Sequence, residues 1–127
     1  MAYLSEKLIQ LESALKKFEE VLKCPYSEIA RDAAIQRFQF TYELLSKTIK
    51  VYLSEIEKIQ VSSPRSCFRE IKNIIKLSDE EIETCLRMAD DRNMSVHIYS
   101  EELAQQLYDR LHTYYTLSKK IYDKLSS

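Results

Sequence analysis

Arg92, Asn93, Ser95, His97 and Tyr99 place a guanidinium, an amide, a hydroxyl, an imidazole and a phenol within one short stretch of chain. No other stretch is so dense in side chains that do polar chemistry. Histidine moves protons near neutral pH, because its ordinary pKa lies there. Arginine holds a phosphate through two parallel hydrogen bonds. Together they point to phosphate chemistry, or to recognition of a phosphate-bearing partner. Asp90 and Asp91 stand just before the stretch, and Ser100-Glu101-Glu102 follows it like the start of a helix. The stretch is therefore expected at a helix end, where side chains can point into a cleft. A purely structural reading stands beside this one: Arg92 paired with Asp90, Asp91 or Glu101, and His97 capping or packing.

Other candidates are weaker. His112 has no comparable company in mid-helix and is expected at the surface or rim. Tyr42, Tyr52, Tyr108, Tyr114 and Tyr122 recur at helical spacing, as packing residues do. Arg31, Asp32 and Arg37 form a polar cluster on one helix, by spacing an ion-pair group within that helix, with a partner or substrate cleft as the sharper alternative. Asp90/Asp91 and Glu80/Glu81 read as helix-end charges. The chain has no P-loop, GxSxG, HExxH or metal-spaced cluster, so no cofactor or metal is expected. Its three cysteines, Cys24, Cys67 and Cys85, lack zinc-site spacing and read as free buried thiols in a reducing cytoplasm.

Amphipathic helices must position these groups. Leu4, Leu8, Leu11, Leu15, Phe18 and Leu22 form one stripe and predict a helix from Tyr3 to Lys23. Cys24-Pro25-Tyr26-Ser27 breaks it, and Ser27 can cap the next helix. That helix is the longest, from Glu28 to Ile59. Ile29, Ala33, Ala34, Phe38, Thr41, Leu45, Thr48, Tyr52 and Ile56 line one face, which Phe40, Leu44 and Val51 widen. At 1.5 Å per residue it would be about 45 Å long, enough to serve both its own bundle and a second subunit. Ser63-Pro64 starts a short helix to Lys76, with Cys67, Phe68, Ile71, Ile74 and Ile75 inward. Ser78 through Glu81 fits a capping box for the helix that leads into Arg92. Ser100 can cap a last helix to Leu125.

The 127 residues amount to one domain, 1–127, and the hydrophobic and charged fractions of 45% and 31% fit a folded core. There is no Gly and there are only two Pro, which argues against tight-turned β structure. The expected class is all-α, an up-and-down antiparallel bundle of four to five helices. A bundle this narrow buries more apolar surface by dimerising. A net charge of −1 is not that of a protein that coats nucleic acid by charge alone, although a local basic patch remains open. No segment reads as a membrane span or signal peptide.

Arg92, four residues, His97, one residue, Tyr99 resembles the Arg-x4-His-x-Tyr signature of HEPN-domain proteins, with Asn93 at the family's common polar position. The nearer resemblance is to the HEPN branch called nucleotidyltransferase substrate-binding proteins. Arg31 through Leu44 resembles that branch's long-helix block, Ser63 through Glu70 its next block, and Asp91 through Tyr99 its third. The chain departs from it where the branch has a Trp-Lys pair (Ser46-Lys47 here) and a Trp before the motif (Cys85-Leu86). It also lacks the branch's Gly in the loop before Ser63-Pro64.

The resemblance implies a HEPN-like bundle that forms a homodimer with two motifs across a cleft, and a minimal nucleotidyltransferase as partner. It implies a toxin–antitoxin role: a metal-independent ribonuclease, with RNA such as tRNA as substrate, silenced by transfer of AMP to Tyr99. Arg92, His97 and Asn93 would be catalytic. The alternative it leaves is a non-catalytic substrate-binding subunit of the transferase.

Overall fold

The computed structural model describes residues 2–98 and 100–127. Its elements are α1 (Ala2–Lys23), α2 (Glu28–Glu55), α3 (Pro64–Ile74), α4 (Asp79–Ser95) and α5 (Glu101–Ser126), with no strand among the described residues. The starts are set by short-range chemistry. Ser27, Ser63, Ser78 and Ser100 each accept a hydrogen bond from the backbone N–H three residues on. This satisfies donors that a helix start leaves open. At α4 the Glu81 carboxylate also accepts from the Ser78 N–H, which completes the expected capping box.

Two helix ends fall short of expectation. α2 stops at Glu55 rather than Ile59, and α3 at Ile74 rather than Lys76. In both, a lysine takes the left-handed conformation that usually falls to glycine: Lys58 at φ 60° and Lys76 at φ 59°. After α3 the Leu77 N–H then donates back to the Lys72 carbonyl at 2.8 Å, the closing bond of a Schellman motif. A chain without glycine can thus still turn sharply, at a cost in backbone strain.

α2 is the axis of the bundle: it alone packs against all four other helices. Its buried face carries Ala34, Phe38, Thr41, Leu45 and Thr48 as expected. The widening runs the other way round the helix, through Ile35, Tyr42, Ile49 and Leu53. Phe40 is 57% exposed and Ile29 83% exposed, while Leu44, Val51 and Tyr52 are half-buried. The reason is α3: its Phe68 packs on Tyr42, with ring centroids 6.1 Å apart, so that side of α2 is covered. Phe38 meets Phe18 of α1 and stacks on Tyr114 of α5 at 5.4 Å. One aromatic chain therefore ties four helices together. Thr41 and Thr48 sit in this core with their hydroxyls donating to the carbonyls of Arg37 and Leu44. Cys67 and Cys85 are buried thiols, but Cys24, just past the end of α1, is exposed.

Candidate functional site

The last two turns of α4 carry Asp90, Asp91, Arg92 and Asn93, and each of the first three faces a different helix. Asp90 accepts from Arg65 of α3. Asp91 is buried and accepts two bonds from Arg110 of α5, at 2.8 and 3.0 Å, and another from the Tyr114 hydroxyl. Arg92 turns to α2, where its Nη2 lies 2.7 Å from Oε1 of Glu43. One helical turn from Glu43, Gln39 Nε2 donates to Ser95 Oγ at 2.7 Å, and Ser95 Oγ donates to the Arg92 carbonyl at 2.6 Å. The motif end of α4 is thus pinned on three sides, as an element that must hold a side chain in place should be.

The Arg92 ion pair corrects the sequence reading. Its partner is Glu43, not Asp90, Asp91 or Glu101. Consecutive side chains on a helix diverge by about 100°, so Asp90 and Asp91 point to α3 and α5 while Arg92 points to α2. Arg92 is partly exposed, and its Nε is buried with no acceptor among the described residues. Asn93 is exposed. Beyond Ser95 the chain leaves the helix through a turn, in which the His97 N–H donates to the Met94 carbonyl at 2.8 Å. His97 is exposed there. Tyr99, expected as the AMP acceptor, lies outside the described residues.

Arg31 and Asp32 come to this same end of the molecule. A cavity of about 280 Å³ lies between them and Ser95, Ile98, Ser100 and Glu101. Arg31 is buried, 3% exposed, and pairs with Glu101 at 2.7 Å and with Asp32 at 3.1 Å. The hydrogen bond to Glu101, ahead of the opposing effect of burial, holds its guanidinium further up than usual. The expected ion pair within α2 is therefore only part of the arrangement, since the Glu101 bond fastens α5's start to α2. Arg37 does not join the group. It donates to the Lys17 carbonyl of α1 at 2.6 Å and lies 3.9 Å from Glu20. His112 is exposed on α5, as expected.

Four contributors escaped the sequence reading. Glu43 and Gln39, spaced four apart on α2, face the motif. Arg110 and Tyr114, spaced four apart on α5, hold Asp91. That spacing is a signal for a shared helix face, but nothing in it names the partner across the bundle. The crowding of charge shows in Tyr42. Burial first, and then the neighbouring Glu43, push its phenol up to about 12, while Arg92 and Arg65 pull the other way.

Comparisons with known proteins agree with this architecture. The family model described as nucleotidyltransferase substrate binding protein like matches residues 6–127. A crystal structure of a protein from Thermus thermophilus is 36% identical, with a TM-score of 0.87, and the match covers 92% of this chain and 99% of that one. A chain from a crystal structure of a toxin–antitoxin with AMP-PNP shares the fold at 15% identity, with a TM-score of 0.71 and 96% of each chain covered. No curated protein sequence matches.

Proposed function

Because the chain belongs to the nucleotidyltransferase substrate binding protein family, we propose that it partners a minimal nucleotidyltransferase and, when unmodified, cleaves RNA without a metal. The observation that carries this reading is the placement of Arg92. Its guanidinium reaches the surface from a helix end fixed on three sides, one turn before an exposed His97.

The chemistry follows from those groups. His97 takes the proton of a ribose 2′-hydroxyl, whose oxygen attacks the adjacent phosphorus. The P–O5′ bond breaks, leaving a 2′,3′-cyclic phosphate and a 5′-hydroxyl that receives a proton. General acid–base transfer of this kind contributes about 10²–10⁴-fold. Arg92 neutralises the charge that builds on the phosphate, worth about 3–4 kcal/mol for a well-placed donor. Asn93 orients the phosphate or the guanidinium. In a homodimer with facing motifs, the second His97 stands on the leaving-group side. AMP on Tyr99 would add negative charge and bulk next to His97 and repel RNA, as a phosphate does. The second reading, a non-catalytic substrate-binding subunit, draws support from Glu43, a carboxylate that already occupies Arg92.

The test is cleavage of a tRNA pool by purified protein in EDTA, with His97→Ala and Arg92→Ala as controls. Cleavage to cyclic-phosphate ends by wild type and by neither variant is expected. An unmodified, dimeric wild type that leaves RNA intact would overturn the ribonuclease and leave the binding subunit.

A further inference from the structure

Glu43, Lys47, Lys50 and Ser54 follow one another along α2 at spacings of four, three and four, so they share one face of the helix. Glu43 is the residue that holds Arg92. Two hollows adjoin on this face. One, of about 430 Å³, is lined by Tyr3 and Lys7 of α1 and by Lys47 and Lys50 of α2. The other, of about 180 Å³, is lined by Glu43, Lys47, Lys50 and the α3 start at Ser62–Pro64. Lys47 and Lys50 line both, so the hollows form one groove along α2 from Glu43, the partner of Arg92, toward Tyr3 near the N-terminal end of α1.

The charge in that groove departs from the rest of the molecule. Net charge is −1 and the outer faces are mixed in sign. Here Lys7, Lys47 and Lys50 converge against one free carboxylate, Glu55, because Glu43 is taken up by Arg92. Lys47 and Lys50 are exposed, and neither forms an ion pair among the described residues. Lys16, Lys72, Lys119 and Lys120, by contrast, each hold a carboxylate. At the far end stands Tyr3, 54% exposed, with the Lys7 ammonium 5.5 Å from its ring centroid. Unpaired lysines spaced along a groove, ending at an exposed aromatic face, are the elements with which proteins bind single-stranded nucleic acid without reading its sequence.

We infer that this groove is the track for single-stranded RNA on one side of the scissile phosphate. Lys47 and Lys50 neutralise successive backbone phosphates leading away from Arg92, and a base stacks on Tyr3. Glu43 to Lys50 spans about 10 Å of helix axis, which separates the reacting phosphate from the neighbours the lysines hold. The inference rests on the ribonuclease reading for its substrate, but it concerns binding and can be tested without cleavage.

The experiment measures binding of a short single-stranded oligonucleotide with 2′-O-methyl sugars, which has no 2′-hydroxyl to attack and cannot be cut. Wild type, Lys47→Gln/Lys50→Gln and Lys47→Arg/Lys50→Arg are compared over a range of KCl. Circular dichroism confirms that the exposed substitutions leave the fold intact. Each lost phosphate contact should lower the magnitude of the log–log salt slope by about 0.7, so the Gln pair should lose about 1.4 and bind roughly tenfold more weakly at low salt. The Arg pair should bind as wild type does. Equal slopes and affinities for wild type and the Gln pair would overturn the track. So would a Gln pair that binds the oligonucleotide normally but no longer binds the nucleotidyltransferase, since the groove would then be a protein-docking surface. Lysine-dependent binding by a wild type that cleaves no RNA would uphold the track and refute the ribonuclease. Cleavage unaffected by the Gln pair would uphold the ribonuclease and refute the track.

Discussion

Glu43 Oε1 sits 2.7 Å from Arg92 Nη2, so an α2 carboxylate occupies the guanidinium that the proposed mechanism turns to a phosphate. Carboxylate and phosphate compete for the same planar donors. Both side chains are partly exposed, which keeps the pair weak, at about 0.2–1 kcal/mol. Glu43→Gln should therefore tighten oligonucleotide binding by about two- to fivefold through the freed charge, while Arg92→Ala loses that gain. Binding titrations of the single and double variants check this. A weaker Glu43→Gln would mean that Glu43 serves to aim Arg92.

How much of this was legible before the fold depends on the range of the interaction. Ser27, Ser63, Ser78 with Glu81, and Ser100 were readable as caps because each acts within one turn of its own helix. The all-α class and the position of Arg92 at a helix end were readable for the same reason. The direction in which α2 widens its apolar face was not, because Phe40 and Tyr42 are equally good candidates until Phe68 arrives from α3. Arg92's partner was misread because near neighbours in sequence were preferred to Glu43, which only the fold brings close. The ends of α2 and α3 were overrun because no glycine marks Lys58 or Lys76. Asp91 was read as a helix-end charge, although it is buried between Arg110 and Tyr114.

That buried cluster makes a stability prediction. Asp91 accepts from Arg110 and from Tyr114, a phenol that is 1% exposed. Tyr114→Phe deletes one donor and leaves the carboxylate its guanidinium, so it should cost about 1.5–3 kcal/mol. Asp91→Ala removes the acceptor for both, strands Arg110 and empties a buried position, and should cost about 3–5 kcal/mol. Urea denaturation should rank the two in that order. Equal losses, or none, would mean the cluster is held open to water.

Lys76 allows the opposite kind of test. At φ 59° a residue with a Cβ is strained, and the cost for an ordinary side chain in that region is about 1–2 kcal/mol. Glycine has no such penalty but loses more freedom on folding, so Lys76→Gly should gain only about 0.5–1 kcal/mol. Lys76→Val should lose about 1 kcal/mol or more, because a β-branched side chain fits this conformation worst. Leu77, buried just after it, keeps its bond to the Lys72 carbonyl in the glycine variant. Urea midpoints that move up for Gly and down for Val bear this out, and the reverse order would refute a strained α3 end.

The alkaline limit of stability follows from groups buried in their protonated form. Burial, and then the nearby Glu81, push the Cys85 thiol from 9.0 up to about 12. Burial and Glu43 push the Tyr42 phenol from 10.0 up to about 12. The folded protein therefore holds these two protons more tightly than the unfolded chain does. Their contribution is complete below the unfolded values and is lost as pH rises toward the folded ones. Stability should stay flat from pH 7 to about 8.5, begin to fall near pH 9 as unfolded Cys85 ionises, and steepen above pH 10 as Tyr42, Tyr114 and Tyr122, all raised from 10.0, join. Each group adds about 1.4 kcal/mol of loss per pH unit once its unfolded form has titrated. Cys85→Ala, though less stable throughout because of the cavity it opens, should make the fall between pH 9 and 10 shallower, leaving there the part owed to Cys67, whose thiol burial also pushes up. Urea unfolding at closely spaced pH values measures both curves. A fall between pH 9 and 10 that Cys85→Ala leaves just as steep would assign the alkaline loss to groups other than this thiol.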